Sequence, residues 1–191
     1  KLRLPWMAWG HTHWNTLTTS PTLARTGRSL LIEQPLAPDD LQRHAKLQDR
    51  IATPICLDES ISHIGNAQDM LTLGAGRMIN IKAGRVGGFQ QAKAIHDLCQ
   101  HHAMPAFCGS ELETGIGRAY AVALASLPHF DLPSDVSPSA CYWHKDIVTP
   151  EWKMTSSGMT TIPTTRIGLG ITVDVDTIDN LTVRTKTLAA P

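Results

Sequence analysis

The chain has no excess charge of either sign: 17 lysines and arginines are balanced by 17 aspartates and glutamates. That balance removes the electrostatic footprint of a nucleic-acid surface, and no block of like charge reads as a tail. Long apolar runs are also missing. No uninterrupted stretch reaches bilayer-crossing length, and no leader peptide is read at the start, so no membrane partner is expected. Cysteine is scarce. Cys56, Cys99, Cys108 and Cys141 lie far apart, without the spacing of a metal site. Two fall in predicted strands and one on a predicted helix, so they read as buried free thiols of a reducing compartment, with the cytoplasm expected. What remains is 191 residues, 42% of them hydrophobic, enough for a domain with its own core.

Three short apolar runs end in ionisable residues. They are Leu30-Leu31-Ile32-Glu33, Ile55-Cys56-Leu57-Asp58 and Met78-Ile79-Asn80-Ile81-Lys82. The charged ends recur about every 25 residues, the length that a strand, a loop and a helix need together. The interval continues upstream to Leu4-Pro5-Trp6-Met7-Ala8-Trp9. Downstream it reaches Pro105-Ala106-Phe107-Cys108-Gly109, then Asp135 in Leu132-Pro133-Ser134-Asp135-Val136. A fixed period without likeness between the units predicts an α/β fold, a (β/α) barrel rather than a solenoid. Two carboxylates and a lysine then point from successive strand ends into one space. In a barrel of parallel strands, that end is where chemistry is done.

The intervening segments read as helices. Pro38-Asp39-Asp40-Leu41 is a helix start, with Leu41, Ala45 and Leu47 offering an apolar side. Asn66 to Leu73 predicts a short helix ended near Gly74. Phe89, Ala92, Ile95, Leu98 and Cys99 recur at helical spacing and predict a helix from Gly88 to His102. Gly117 to Leu127 is an Ala-rich helix closed by Pro128. After Pro150 the pattern changes. Trp152 to Met154 and Thr160 to Ile162 flank Ser156-Ser157-Gly158, a hairpin signal. Ile171, Val173 and Val175 alternate with polar residues, as do Leu181 and Val183. The predicted division is a barrel portion over residues 1–149 and a β-rich segment over 150–191.

Four stretches carry a family resemblance: Ile32-Glu33-Gln34-Pro35-Leu36, Leu57-Asp58-Glu59-Ser60, Asn80 to Gly88, and Leu112 to Ala119. In this order they resemble the enolase superfamily, the mandelate racemase and muconate lactonizing enzyme-like group. Within it they are most similar to the o-succinylbenzoate synthase and N-acylamino-acid racemase branch. The likeness runs from about Leu4 to Leu188. It implies a partial TIM-like barrel, about strands 3 to 8 of eight, whose full-length relatives begin with a capping domain. The 150–191 segment would pack on that domain.

The resemblance also implies a chemistry: metal-dependent removal of the proton α to a carboxylate in a small-molecule substrate. Glu33 and Asp58 would be two ligands of Mg²⁺ or Mn²⁺, and Lys82 the acid/base on one face of the substrate. Enolase-superfamily sites are a worked case of a Lys or His base paired with one or two Mg²⁺ ions. A lysine inside a cavity and near a metal can have its pKa lowered enough to act as a base. Ser110 and Glu111 stand where the family's seventh strand ends in Gly-Gly-Met and are the substrate-binding candidates. Glu111 turned inward would repel an anionic substrate or replace a missing ligand; on the lip it would be solvated. Glu59 reads either as a partner behind the ligands or as a surface ion pair. Asn80 shares a strand face with Lys82 and could orient it. Gly87-Gly88 either opens the next helix or lets backbone approach a ligand. Glu113 reads as structural, tied to backbone or to Arg118.

Departures from the pattern bear on activity. The family's third metal ligand aligns with Trp9, which cannot bind Mg²⁺, so weakened cation affinity is expected. The family's second lysine has no counterpart here. Impaired catalysis is therefore expected, and a non-catalytic remnant is the alternative. A second alternative is a metal hydrolase using His11 and His13, two residues apart and on one side of a strand. Six barrel strands would leave open edges. Self-association, or pairing with a complementing N-terminal half, is the expectation for the isolated chain.

Overall fold

A computed structural model of the chain describes residues 31–163 and 167–188. The upstream run ending at Trp9, and with it Trp9, His11 and His13, lies outside the described residues.

Each apolar run forms a short strand: β1 (Ile32–Glu33), β2 (Ile55–Leu57), β3 (Met78–Ile81) and β4 (Ala106–Cys108). They pair in parallel in chain order. Glu33 sits opposite Cys56, Cys56 opposite Met78, and Asn80 opposite Phe107. Helices fill the connections: α1 (Leu41–Gln48), α2 (Ile64–Leu73), α3 (Phe89–His101) and α4 (Gly115–Ala125). The expected sixth unit shrinks to one parallel bridge between Gly109 and Asp135. Pro133, two residues earlier, has no N–H with which to extend a ladder.

Alternation along the strands sorts the core into two faces. Ile55, Leu57, Ile79, Ile81, Ala106 and Cys108 point outward and pack against Leu47, Met70, Ala92, Ile95 and Leu124 of the helices. Cys56, Met78 and Phe107 point inward and meet Leu31 and Leu132. Both faces are covered, as parallel sheets require. Further along the inward face stand Glu33, Asp58, Asn80 and Lys82, all buried.

Helix ends follow local chemistry. The Asp40 carboxylate accepts the Arg43 N–H at 3.0 Å and starts α1. Gly74 ends α2 with φ of 65°, where a residue with a side chain would be strained. Gly88 caps α3 with φ of 111°, so Gly87-Gly88 does open the next helix. At α1 the buried residues are His44, Leu47 and Gln48, while Leu41 and Ala45 are only partly covered.

Past α4 the chain packs on that helix's other side. Ala119, Val122, Val148 and Trp152 form a second small core. Asp146 accepts the Gly115 N–H at 2.8 Å, and Trp152 donates its ring N–H to the Gly115 carbonyl at 2.9 Å. A Cβ on Gly115 would lie 2.8 Å from Asp146 Oδ2, so the close fit needs glycine. The strands β5 (Val148–Thr149) and β6 (Thr172–Val173) pair antiparallel, and Met154 bridges Thr160 across the predicted hairpin. One tail element differs from expectation. Residues assigned to alternating strand instead form helix α5 (Val175–Leu181). The Asp174 carboxylate accepts the Thr177 N–H at 2.9 Å and starts a helix at that point.

Candidate active site

Three ionisable side chains occupy the carboxyl ends of β1, β2 and β3, as their spacing predicts. Glu33 closes β1. Asp58 follows β2, and Lys82 follows β3. Asp58 is 1% exposed and Lys82 8%. Burying charges so fully is costly unless they are paired. Here they are paired: Lys82 Nζ lies 3.0 Å from Asp58 Oδ2. Arg85 closes on the other oxygen, Asp58 Oδ1, and reaches Glu111 at 2.7 Å with its second nitrogen.

Arg85 is the residue that the sequence reading overlooked. Its signal was its place three residues beyond Lys82, in the turn that leaves β3. The turn folds back through Arg85 N–H and Val86 N–H donating to the Lys82 carbonyl at 3.0 and 3.2 Å. That brings the guanidinium over Asp58.

Lys82 departs from the expectation of a lowered pKa. Burial pulls it down, but the Asp58 charge and hydrogen bond outweigh that and hold the ammonium above its ordinary value. The pair, not the cavity, decides the direction. Glu33 is shifted toward its neutral form. Burial raises its pKa, Asn80 opposes this by hydrogen bonding, and the charge of Asp58 adds to the rise.

Asn80 does share the inward face with Lys82, but it orients Glu33. Its Nδ2 donates to Glu33 Oε1 at 2.7 Å. Its Oδ1 is buried without a hydrogen-bond partner. Gly109 makes room for both side chains, since a Cβ there would lie 2.8 Å from Lys82 Cε and closer still to Asn80 Oδ1.

The remaining candidates lie at the edge. Glu111, with 47% of its side chain exposed, is on the lip, tethered to Arg85 rather than turned inward. The Ser110 hydroxyl donates to the Asp135 carbonyl at 3.0 Å. Glu59 is exposed and is not among the residues brought together. Arg118 is buried and donates to the backbone carbonyls of Ser137 and Glu113, so Glu113 is tied to it through main chain.

Glu33 and Asp58 supply the hard oxygen donors that a divalent cation of the Mg²⁺ type prefers. Glu33 is a buried carboxylate with no ion pair among the described residues, which leaves a negative charge facing the inner space. In kind, these donors fit such a cation. In number they are two. Among the described residues, no group of three His, Cys, Asp or Glu forms a metal-holding cluster. Nor is any described helix long and apolar enough to cross a membrane.

Comparison with known proteins gives the family. Residues 6–177 match the family model described as enolase C-terminal domain-like. The chain is 48% identical over 153 residues to an o-succinylbenzoate synthase of Geobacillus kaustophilus, covering 80% of this chain and 40% of the relative. It is 47% identical over 169 residues to an N-succinylamino acid racemase of Amycolatopsis sp, covering 87% and 45%. A solved enolase-superfamily member from Listeria innocua superposes with a TM-score of 0.80 at 33% identity, over 88% of this chain and 45% of that one. A dipeptide epimerase from Cytophaga hutchinsonii, solved with Mg and a dipeptide, shares the fold with a TM-score of 0.81 at 22% identity, over 90% of this chain and 46% of that one. The chain thus spans less than half the length of these curated relatives. The matched stretch contains every strand-end residue described above, and the chain belongs to the enolase C-terminal domain-like family.

Proposed function

We propose that this chain carries part of the site for metal-assisted removal of an α-proton from a small carboxylate substrate, in a reaction of the o-succinylbenzoate synthase or N-acylamino-acid racemase type. The observation that carries the reading is the meeting of Glu33, Asp58 and Lys82 on one inward sheet face, at the end where parallel barrels do chemistry. Glu33 and Asp58 would hold Mg²⁺ or Mn²⁺. A cation there would stabilise the negative charge that grows on the substrate carboxylate as the α-proton leaves. Lys82 Nζ would take or return that proton in a racemase. In the dehydrating synthase its charge would mainly stabilise the intermediate. To act as a base it must first give up its proton, which the Asp58 pair opposes. Engaging the Asp58 oxygens elsewhere weakens that opposition and moves Lys82 toward the range of a general base. Asn80 keeps Glu33 oriented by its 2.7 Å hydrogen bond.

The test is α-proton exchange followed by NMR in D₂O, with Mg²⁺ or Mn²⁺, an N-acylamino acid and this chain alone. Deuterium uptake that disappears in Lys82→Ala is the expected result. Absence of uptake at saturating metal would overturn the catalytic reading for the chain. One observation favours the second reading, a non-catalytic remnant: Asp58 is already held from both sides by Lys82 and Arg85. On that reading the chain takes up no deuterium and has no cation affinity.

A further inference from the structure

Gln34 follows Glu33, and its side chain crosses from the end of β1 to the end of β2. Its Oε1 accepts the backbone N–H of Asp58 at 2.9 Å and that of Ser60 at 3.2 Å. Its Nε2 donates to the Ser60 hydroxyl at 2.7 Å and to the Leu36 carbonyl at 3.2 Å. The backbone ladder between the two strands stops just before this point, with the Gln34 N–H donating to the Cys56 carbonyl at 2.9 Å. Gln34 then turns away with φ of 38°, a left-handed conformation that costs a residue with a side chain. The turn removes its own carbonyl from the ladder. The side-chain amide supplies the acceptor that Asp58 N–H would otherwise lack.

We propose that Gln34 is a positioning residue that sets the separation between the Glu33 and Asp58 carboxylates, and so the geometry of the cation site. The inference rests on the functional reading above. Other fasteners run elsewhere: Asn80 ties Glu33 to β3, and Lys82 and Arg85 tie Asp58 to the end of β3. Gln34 links the two carboxylate-bearing ends to each other. Two anions on neighbouring strand ends repel, and short strands of two and three residues provide little stiffness against that repulsion. A side chain spent on the backbone N–H of Asp58 and Ser60 has no free polar group for substrate, so its role is geometry.

Gln48 provides a matched control within the same sheet. At the opposite end of β2 its Oε1 accepts the Ile55 N–H at 2.7 Å, and its Nε2 donates to the carbonyls of Ile51 and Thr53, both at 3.2 Å. It is an equally committed amide, buried where Gln34 is half-buried, and it acts at the end of β2 away from the carboxylates. Mn²⁺ affinity would be measured by calorimetric titration on wild type, Gln34→Met and Gln48→Met, with urea unfolding of each in the absence of metal. Both variants lose stability. Only Gln34→Met is expected to lose Mn²⁺ affinity, by roughly tenfold or more. Gln34→Asn is the milder variant if methionine fails to fold. It tolerates positive φ but is one carbon too short to reach Asp58 N–H, and the same loss is expected. Equal affinity in wild type and the Gln34 variants, or an equal fall in the Gln48 variant, overturns the positioning role alone. A wild-type chain that binds no Mn²⁺ overturns the functional reading, and this inference with it.

Discussion

Two ion pairs in this molecule join the same residue types at the same distance. Lys82 meets Asp58 and Lys145 meets Asp174, each at 3.0 Å. The first pair lies on the inward sheet face, with side chains 9% and 1% exposed. The second lies in the tail, with 66% and 30%. Distance alone therefore says little about what a pair does. At the strand ends, burial makes each charge depend on its partner. In the tail, water already satisfies the lysine, and Asp174 is held mainly by something else. Its pKa falls to about 2, first through hydrogen bonds from the Thr177 hydroxyl and N–H, with Lys145 a smaller contributor. One pair joins two buried strand ends, and the other decorates a helix cap.

Removing one partner of the buried pair breaks the comparison most strongly. Asp58→Ala leaves the buried Lys82 without its counter-charge and Arg85 with only Glu111 on the lip. A loss of about 3–5 kcal/mol is expected from urea unfolding, the usual cost of orphaning a buried charge. Asp58→Asn should cost less, because the amide oxygen can still accept. A loss below about 1 kcal/mol for the alanine variant would mean that water enters the site freely, making the two pairs alike.

Glu33 sharpens the contrast within the site. It is buried like Asp58 but makes no ion pair among the described residues, and the charge of Lys82 only partly offsets its burial. Glu33→Gln should stabilise the metal-free chain by about 1 kcal/mol at pH 7, since it removes an unpaired buried charge and keeps an acceptor for Asn80. The folded-state pKa of Glu33 is raised. The folded state thus favours its proton, and ionisation costs stability as pH rises through that value. The advantage of glutamine should therefore be full above the raised value and vanish below the ordinary carboxylate range of about 4.3. Unfolding midpoints across pH 4 to 8 would check this. Destabilisation at neutral pH would mean that Glu33 already has a compensating partner.

The divide between Glu33, Asp58 and Lys82 on one side and Arg85 and Gln34 on the other also marks what the sequence could reveal. The first three close apolar runs at a regular interval, so periodicity places them on strand ends and names their common side. Arg85 and Gln34 lie in loops, where no period applies. Their partners depend on how the turn after β3 and the turn at Gln34 fold. Asn80 is intermediate: alternation gives its face, but a face does not choose between Glu33 and Lys82. The barrel rhythm was legible down to single helices, including the Gly74 and Gly88 boundaries. It faded at Asp135, where a strand became one bridge. Helix α5 differs from the expected strand because Val175 and Leu181 fit both alternation and a helical turn, and the Asp174 cap decides between them.

His44 gives a smaller pH effect. It is fully buried, accepting the Leu36 N–H at 3.2 Å on Nε2, with Nδ1 2.8 Å from the Asp40 carbonyl. Burial lowers its pKa, against opposition from Asp40. A depressed value means stability that is present above the ordinary histidine range and lost as pH falls through the folded-state value, so the loss begins below about 6.5. His44→Gln should flatten this acid limb while costing about 1 kcal/mol at pH 7. An unchanged acid limb would assign the loss to other groups.

The smallest effect is expected at the exposed pair. Lys145 donates to Asp174 at 3.0 Å and to the Thr177 hydroxyl at 2.8 Å, yet most of its side chain is in water. Solvation returns nearly all that the pair provides, and fixing a long lysine side chain carries an entropy cost. Lys145→Ala should leave the urea midpoint unchanged within error, at low and high salt alike. Asp174→Ala should act on α5 itself, because Asp174 supplies the cap that Thr177 N–H requires. Faster amide exchange at Thr177 in Asp174→Ala but not in Lys145→Ala would separate the cap from the ion pair. Equal acceleration in both would show that the tail pair acts as a unit with the cap, and the contrast with Lys82–Asp58 would then be one of degree.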